Sequence, residues 1–210
     1  MIRVLIADDH AVVREGVKRI LAEAADLVIA GEASHGQEIL AKVATEAWDV
    51  VLLDISMPGR NGLEVLQQLR HLRPTLPVLV FSMHPENQYA VRAFQAGAAG
   101  YLTKDSIPQE LVTAIRKVLQ GGRYVSAAMA EYLILEIGHD PSTPLHSGLS
   151  NREYQVFCML ASGKTVTKIA RELSLSVKTV STHRGRILAK MRLKTNAELI
   201  HYAIRHRLVD

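Results

Sequence analysis

The 210 residues, 48% of them hydrophobic, suffice for one or two domains with real cores, and the single cysteine, Cys158, excludes a disulfide framework and fits a reducing, cytoplasmic compartment. There is no basic segment followed by a long apolar stretch at the start and no run of about eighteen apolar residues, so neither a signal peptide nor a membrane span is expected. The net charge of +4 is unevenly spread: residues 1–120 hold 12 basic and 14 acidic side chains, 121–148 hold 1 and 3, and 149–210 hold 12 and 4, so an excess of +8 sits in the last third and points it at a polyanion.

The first 120 residues alternate in type. "RVLIAD" is a short apolar run, and "HAVVREGVKRILAEAA" places Val13, Val17, Ile20 and Leu21 on one helical face. "LVIAGEAS", "DVVLLD", "PVLVFSM" and "GYLTK" read as further strands. Between and after them "GQEILAKVATEA", "GLEVLQQLRHL", "ENQYAVRAFQAGA" and "PQELVTAIRKVLQGG" read as helices. The strands are continuous apolar runs, as expected of parallel strands covered by helices on both faces. Five such units predict an α/β fold with a doubly wound five-stranded parallel sheet, whose ligand site lies outside the carboxyl ends of the strands.

That rule collects residues from distant parts of the chain. Asp8 and Asp9 end the first strand, Asp54 the third, Ser82 the fourth and Lys104 the fifth. Two adjacent carboxylates beside an apolar core repel each other and lose hydration. A hard divalent cation among three carboxylates offsets that cost, and oxygen donors suit Mg²⁺. With the cation on one side and Lys104 nearby, Asp54 can attack a phosphoryl donor and carry the group itself, while Ser82 hydrogen-bonds the attached phosphate. Taken singly, a strand-end Asp is a turn former and Lys104 a solvated lysine; the signal is their coincidence at one sheet edge. In "MPGRNG", Pro58 presets one dihedral, and Gly59 and Gly62 permit unusual ones, so the loop beside Asp54 is shaped by backbone. His10 and His84 lie near the mapped site and receive no catalytic role.

Residues 121–137 start with a glycine break and continue as a helix, and "GHDPSTPLHSG", 138–148, reads as a linker. The remainder, 149–210, is a smaller all-α unit of four helices. Ser150 with Glu153, and Thr195 with Glu198, have capping-box spacing, and Ser176 is a further N-cap. "TVTKIARELSLS" and "SVKTVSTHRGRILAKM" form a helix-turn-helix pattern, with Val177, Val180, Ile187, Leu188 and Met191 as the apolar positions of the second helix. In that motif the second helix enters the major groove of duplex DNA. Lys178, Thr179, Ser181, Thr182, Arg184 and Arg186 could then face DNA, and Lys164, Lys168 and Lys190 could reach phosphates.

The motifs "ADDH", "LLDISMPGRNG", the Ser of "FSM" and "GYLTK" make residues 1–120 resemble a two-component receiver domain. "LSNRE" and "KIARELSLSVKTVSTHRGRILAKMRLKTNAELI" make residues 149–210 resemble the LuxR-type DNA-binding domain. Together the chain resembles the NarL/FixJ class of response regulators. The resemblance implies phosphorylation of Asp54 by a partner histidine kinase. It also implies Mg²⁺ held by Asp9, Asp54 and the backbone carbonyl of Ser56, with Asp8 acting partly through water. Ser82 and Tyr101 would be the switch pair, Tyr101 turning inward as Ser82 moves toward the phosphate, and the phosphorylated receiver would control dimerisation or release of the DNA-binding domain, with dimerisation expected on a two-fold promoter DNA site. Two departures stand out. Asp105 follows the lysine where many receivers have proline, so the loop there is expected to differ in shape. The recognition helix is nearer a "TVSTYR"-like subgroup, with His183 in place of the tyrosine, so no operator sequence carries over. Two rival readings are a phosphorylation-independent DNA-binding protein with a structural receiver, and an Mg²⁺-dependent aspartyl-phosphate phosphatase. The latter family resembles a "DxD" pattern on its first strand, which adjacent Asp8 and Asp9 do not match.

Overall fold

The computed structural model describes residues 1–59, 61–106, 108–131 and 144–209. They fall into two compact units, the first ending at residue 131 and the second beginning at 144.

In the first unit, strands β1 (Ile2–Ala7), β2 (Leu27–Ala33), β3 (Val50–Leu53), β4 (Val78–Ser82) and β5 (Gly100–Thr103) alternate with helices α1 (Ala11–Ala22), α2 (Gly36–Thr45), α3 (Gly62–Leu72), α4 (Glu86–Gln95) and α5 (Pro108–Leu119). All pairings are parallel, in the order β2-β1-β3-β4-β5. Every residue of β3 and β4 is buried, as two-sided cover demands. On one face Val4, Ile6, Leu52, Leu79, Phe81 and Leu102 form a core with Val17 and Leu21 of α1 and Leu111, Ile115 and Val118 of α5. The α5 residues recur at i, i+4 and i+7, one stripe of a helix, and each such burial contributes about 1.5–3 kcal/mol. Alternation along the strands turns Leu5, Leu53 and Val80 to the other face. The chain leaves β1 toward β2 on one side and β3 on the other, so the switch point lies at the carboxyl ends of β1 and β3.

The segment after α5 is more than a helical extension. Tyr124 forms a parallel bridge with Gly100, its N–H donating to Ala99 O (3.0 Å), and its hydroxyl donates to Glu110 Oε1 (2.5 Å). Residues 127–131 are helical, and Ser126 donates a hydrogen bond to Glu86 of α4. A one-residue bridge has no hydrophobic period, so the sequence pattern does not announce it. The rest of the expected helix and most of the expected linker, 132–143, lie outside the described residues. Part of that linker, Leu145–Gly148, is a 3₁₀ turn tied to the second unit by His146 Nδ1 and Tyr202 OH, 3.0 Å apart.

The second unit contains α6 (Asn151–Ala161), α7 (Val166–Glu172), α8 (Val177–Lys190) and α9 (Asn196–Arg205). Ser150 and Glu153 close a full capping box. Thr165, Ser176 and Thr195 each accept from the backbone N–H three residues on. The expected second box is only half made, because the Glu198 carboxylate accepts from Lys194 N (2.7 Å). Val180, Ile187 and Met191 are fully buried, whereas Val177, expected among them, stands 49% exposed. It is the first residue of α8.

Candidate functional site

The backbone brings the acidic edge together. Asp8 N–H donates to Ala33 O (3.0 Å) and Asp54 N–H to Ala7 O (2.8 Å), so both aspartates continue the ladder just beyond their strands. Lys104 Nζ lies 2.5 Å from Asp54 Oδ2 and 2.6 Å from Asp8 Oδ2, with the three side chains only 1–5% exposed. The other oxygens are held by the main chain, Asp54 Oδ1 by Ser56 N–H and Asp8 Oδ1 by His10 N–H, each at 2.8 Å. Arg14, on the first turns of α1, donates to Asp8 O (2.7 Å) and to Glu32 of β2 (2.7 Å), fixing the strand end. The loop after Asp54 is shaped as expected at Gly59, where φ is +88°. Gly62 serves close approach, since a Cβ there would meet Ile55 Cα at 2.3 Å.

Burial pushes the Asp54 carboxyl above its ordinary range, while the Lys104 cation and the Ser56 N–H pull the other way. Burial also acts to lower the Lys104 ammonium, but the Asp54 and Asp8 carboxylates outweigh it and raise it, so the lysine stays charged. Asp8, Asp9, His10 and Asp54 offer ligand atoms that all lie within 4.8 Å of one another. Ser56 Oγ is buried without a hydrogen-bond partner among the described residues. A crowded set of carboxylate oxygens with an orphaned hydroxyl beside it fits a hard divalent cation such as Mg²⁺.

Ser82 is fully buried at the end of β4, its Oγ accepting from His84 N–H (3.2 Å). Tyr101 already lies inward: it is 1% exposed, and its hydroxyl donates to His84 O (3.0 Å). His84 stacks on Tyr89 with centroids 4.6 Å apart, which places both beside the Ser82–Tyr101 pair. One neighbour, Arg14, is not singled out by the sequence. Arg14 falls one turn into a helix, where an arginine is ordinarily a solvated residue. His10 lies beside the site as expected, its Nδ1 3.3 Å from Asp8 Oδ1 and 3.2 Å from Asp9 Oδ1.

On the second unit, Lys168, Lys178, Thr179, Ser181, Thr182 and Arg186 are exposed. Thr179 caps with Ser176 (2.8 Å between hydroxyls), and Thr182 Oγ1 donates to Lys178 O (2.9 Å). Three of the residues expected to contact DNA have partners within the unit: Lys164 with Glu172 (2.5 Å), Arg184 with Asn196 Oδ1 (2.7 Å) and Lys190 with Glu153 (2.6 Å). His183 is partly buried, its Nδ1 has no hydrogen-bond partner among the described residues, and desolvation holds its pKa below the usual value.

The family model described as "Response regulator receiver domain" matches residues 4–116, and "Bacterial regulatory proteins, luxR family" matches residues 147–203. The chain is similar to response regulator UvrY of Escherichia coli K12, with 40% identity over all of this chain and 97% of that one. It is similar to response regulator GacA of Pseudomonas aeruginosa, with 42% identity over all of this chain and 99% of that one. The crystal structure of a LuxR-family two-component response regulator from Aurantimonas sp. SI85-9A1 matches with 34% identity and a TM-score of 0.62, over 65% of this chain and 98% of that one. The chain belongs to the NarL/FixJ class of response regulators, DNA-binding transcription regulators controlled by phosphorylation of a receiver domain.

Proposed function

We propose that Asp54 is the residue that carries the phosphoryl group, taken from a phosphohistidine of a partner sensor kinase in the cytoplasm. The observation that carries this reading is the Lys104 ammonium, 2.5 Å from Asp54 and 2.6 Å from Asp8 in a buried edge of the sheet. An Asp54 oxygen attacks phosphorus, the N–P bond of the donor breaks, and the imidazole leaves. Lys104 moves from the carboxylate to a phosphoryl oxygen, where its charge opposes the negative charge building there. Ser82 Oγ turns from His84 N–H to donate to another phosphoryl oxygen. Asp8, Asp9, Asp54 and the Ser56 carbonyl would hold Mg²⁺, which supplies neutralisation of the phosphoryl oxygens. The chain is thus its own phosphotransfer catalyst, without turnover of another substrate.

The switched state is read by the second unit. Ser82 and Tyr101 transmit it, and phosphorylated chains pair so that two copies of α8 meet a two-fold site. Lys178, Thr179, Ser181, Thr182 and Arg186 face the major groove, with Lys168 on a phosphate. Lys164, Arg184 and Lys190 serve their intramolecular partners first. The test is intact-mass measurement after incubation with acetyl phosphate and Mg²⁺. One phosphoryl group is expected on the parent and none on Asp54→Asn; undiminished labelling of the variant overturns the assignment.

A further inference from the structure

We propose that Gly185 is a specificity-determining residue of the second unit: bare backbone at this place on α8 lets the helix seat close against the base edges of a duplex, and so decides which sequences are bound. The proposal rests on the reading that α8 enters the major groove.

Glycine is a costly choice inside a helix. It gives up more conformational freedom than any other residue, and relative to alanine it lowers the equilibrium constant for the helix about fourfold. Many glycines of this chain have a local reason. Gly59, Gly97, Gly121 and Gly163 have positive φ, and at Gly31, Gly62 and Gly100 a Cβ would collide with a neighbour at 2.3–2.8 Å. Gly185 has neither reason. It lies inside α8, its φ is not positive, and a Cβ there would meet nothing within 4 Å beyond the adjoining helix backbone. No packing within the unit offsets its cost.

Its place on the helix supplies the compensation. At about 100° per residue, Gly185 points about 140° away from Val180 and about 160° away from Ile187, the two buried residues of α8. It falls in one row with Lys178, seven positions earlier, and Ser181, Thr182 and Arg186 flank it; all five are exposed. Hydroxyls and cations therefore surround a gap floored by main chain. Base edges in the major groove are read by direct contact, and main chain without a Cβ approaches them more closely than any side chain permits. A Cβ at 185 stands between the helix and the base pairs and withdraws Lys178, Ser181 and Thr182 together. Phosphate contacts made by a long flexible side chain such as that of Lys168 tolerate the same shift.

The test compares the full chain with Gly185→Ala and Gly185→Leu after incubation with acetyl phosphate and Mg²⁺. Gly16→Ala is the control, since Gly16 also lies inside a helix, α1, with open space about it. Fluorescence anisotropy is read on a duplex selected by the parent from a random pool and on an unselected duplex of equal length, and amide exchange is followed along both helices. Gly185→Ala is expected to slow exchange along α8 about fourfold. It should also lose about tenfold in affinity for the selected duplex, and Gly185→Leu more. Binding of the unselected duplex should stay as in the parent, because phosphate contacts carry it. Gly16→Ala should slow exchange along α1 and bind both duplexes like the parent. Full affinity of both Gly185 variants for the selected duplex overturns the proposal. So does an equal loss on the two duplexes, or exchange along α8 that does not slow in Gly185→Ala. If Lys178→Ala also leaves the preference between the duplexes unchanged, it is the seating of α8 in the groove that has failed.

Discussion

The acidic edge of the sheet and the outer face of α8 carry charge in opposite ways. At the edge, Asp8, Asp54 and Lys104 are 1–5% exposed, and each ion is held by another. On α8, Lys178 and Arg186 stand in solvent on a helix whose other side buries Val180 and Ile187. A buried charge must be paired, so its neighbours are dictated and its removal strands a partner. An exposed basic charge contributes little to folding and stays available to a polyanion. Substitutions at the first region should therefore be read in stability and chemistry together, and those at the second in binding alone.

The largest effect is expected from Lys104→Met, which leaves Asp8 and Asp54 buried and facing each other without a cation. Urea unfolding of the first unit should show a loss of about 3–5 kcal/mol. Adding Asp54→Asn should restore part of it, since one of the two stranded charges is then gone. An unchanged midpoint would mean the pair is effectively solvated, and the contrast between the regions would fail.

On α8 the expectation reverses. Lys178→Ala or Ser181→Ala should change preference at an affected base pair by about 1–3 kcal/mol, read by mobility shift on a set of duplexes, with unfolding unchanged. Lys168→Ala should weaken all duplexes alike and reduce the slope of log affinity against log salt by about one. Identical sequence preference in both recognition-helix variants would remove α8 from the groove.

Smaller effects sharpen the boundary. Arg184→Ala and Lys190→Ala should cost the second unit about 0.5–1 kcal/mol through lost bonds to Asn196 and Glu153, with base preference intact. Altered preference with full stability would return them to the DNA-facing set. The smallest effect concerns Glu153. Burial acts to raise its carboxyl, but the Lys190 cation and the Ser150 N–H outweigh that and hold it below the ordinary value of 4.5. Its stabilisation is therefore complete above that value and is lost as the pH falls from there through the depressed one. Glu153→Gln should flatten this acid limb in thermal unfolding of residues 144–210; an acid limb unchanged in the variant would assign it to other carboxylates.

Much of this was legible because it is local. Strand β3 announces itself as "VVLL" followed by Asp54, and Ser150 with Glu153 announces a helix start three residues apart. The misses share a cause. The Tyr124 bridge to Gly100 is a single contact across 24 positions, the half-made box at Thr195 depends on which N–H Glu198 reaches first, and Val177 has apolar spacing but an exposed place. Periodicity says that a residue belongs to a stripe; it does not say where the neighbouring helix ends.

The order of apolar runs, and the fact that Asp8, Asp9, Asp54, Ser82 and Lys104 all lie at the carboxyl ends of strands, were determined by the amino-acid sequence alone. Parallel strands need two-sided apolar cover, and a doubly wound sheet sends every carboxyl end to one edge. Only the tertiary structure decided which oxygen Lys104 takes from each aspartate, that the His10 ring turns to the acid pair and not to its own helix cap, and that Arg184 and Lys190 reach back to Asn196 and Glu153. These depend on the direction of long side chains between elements up to 96 positions apart, as from Asp8 to Lys104, and packing sets that direction after the chain has folded.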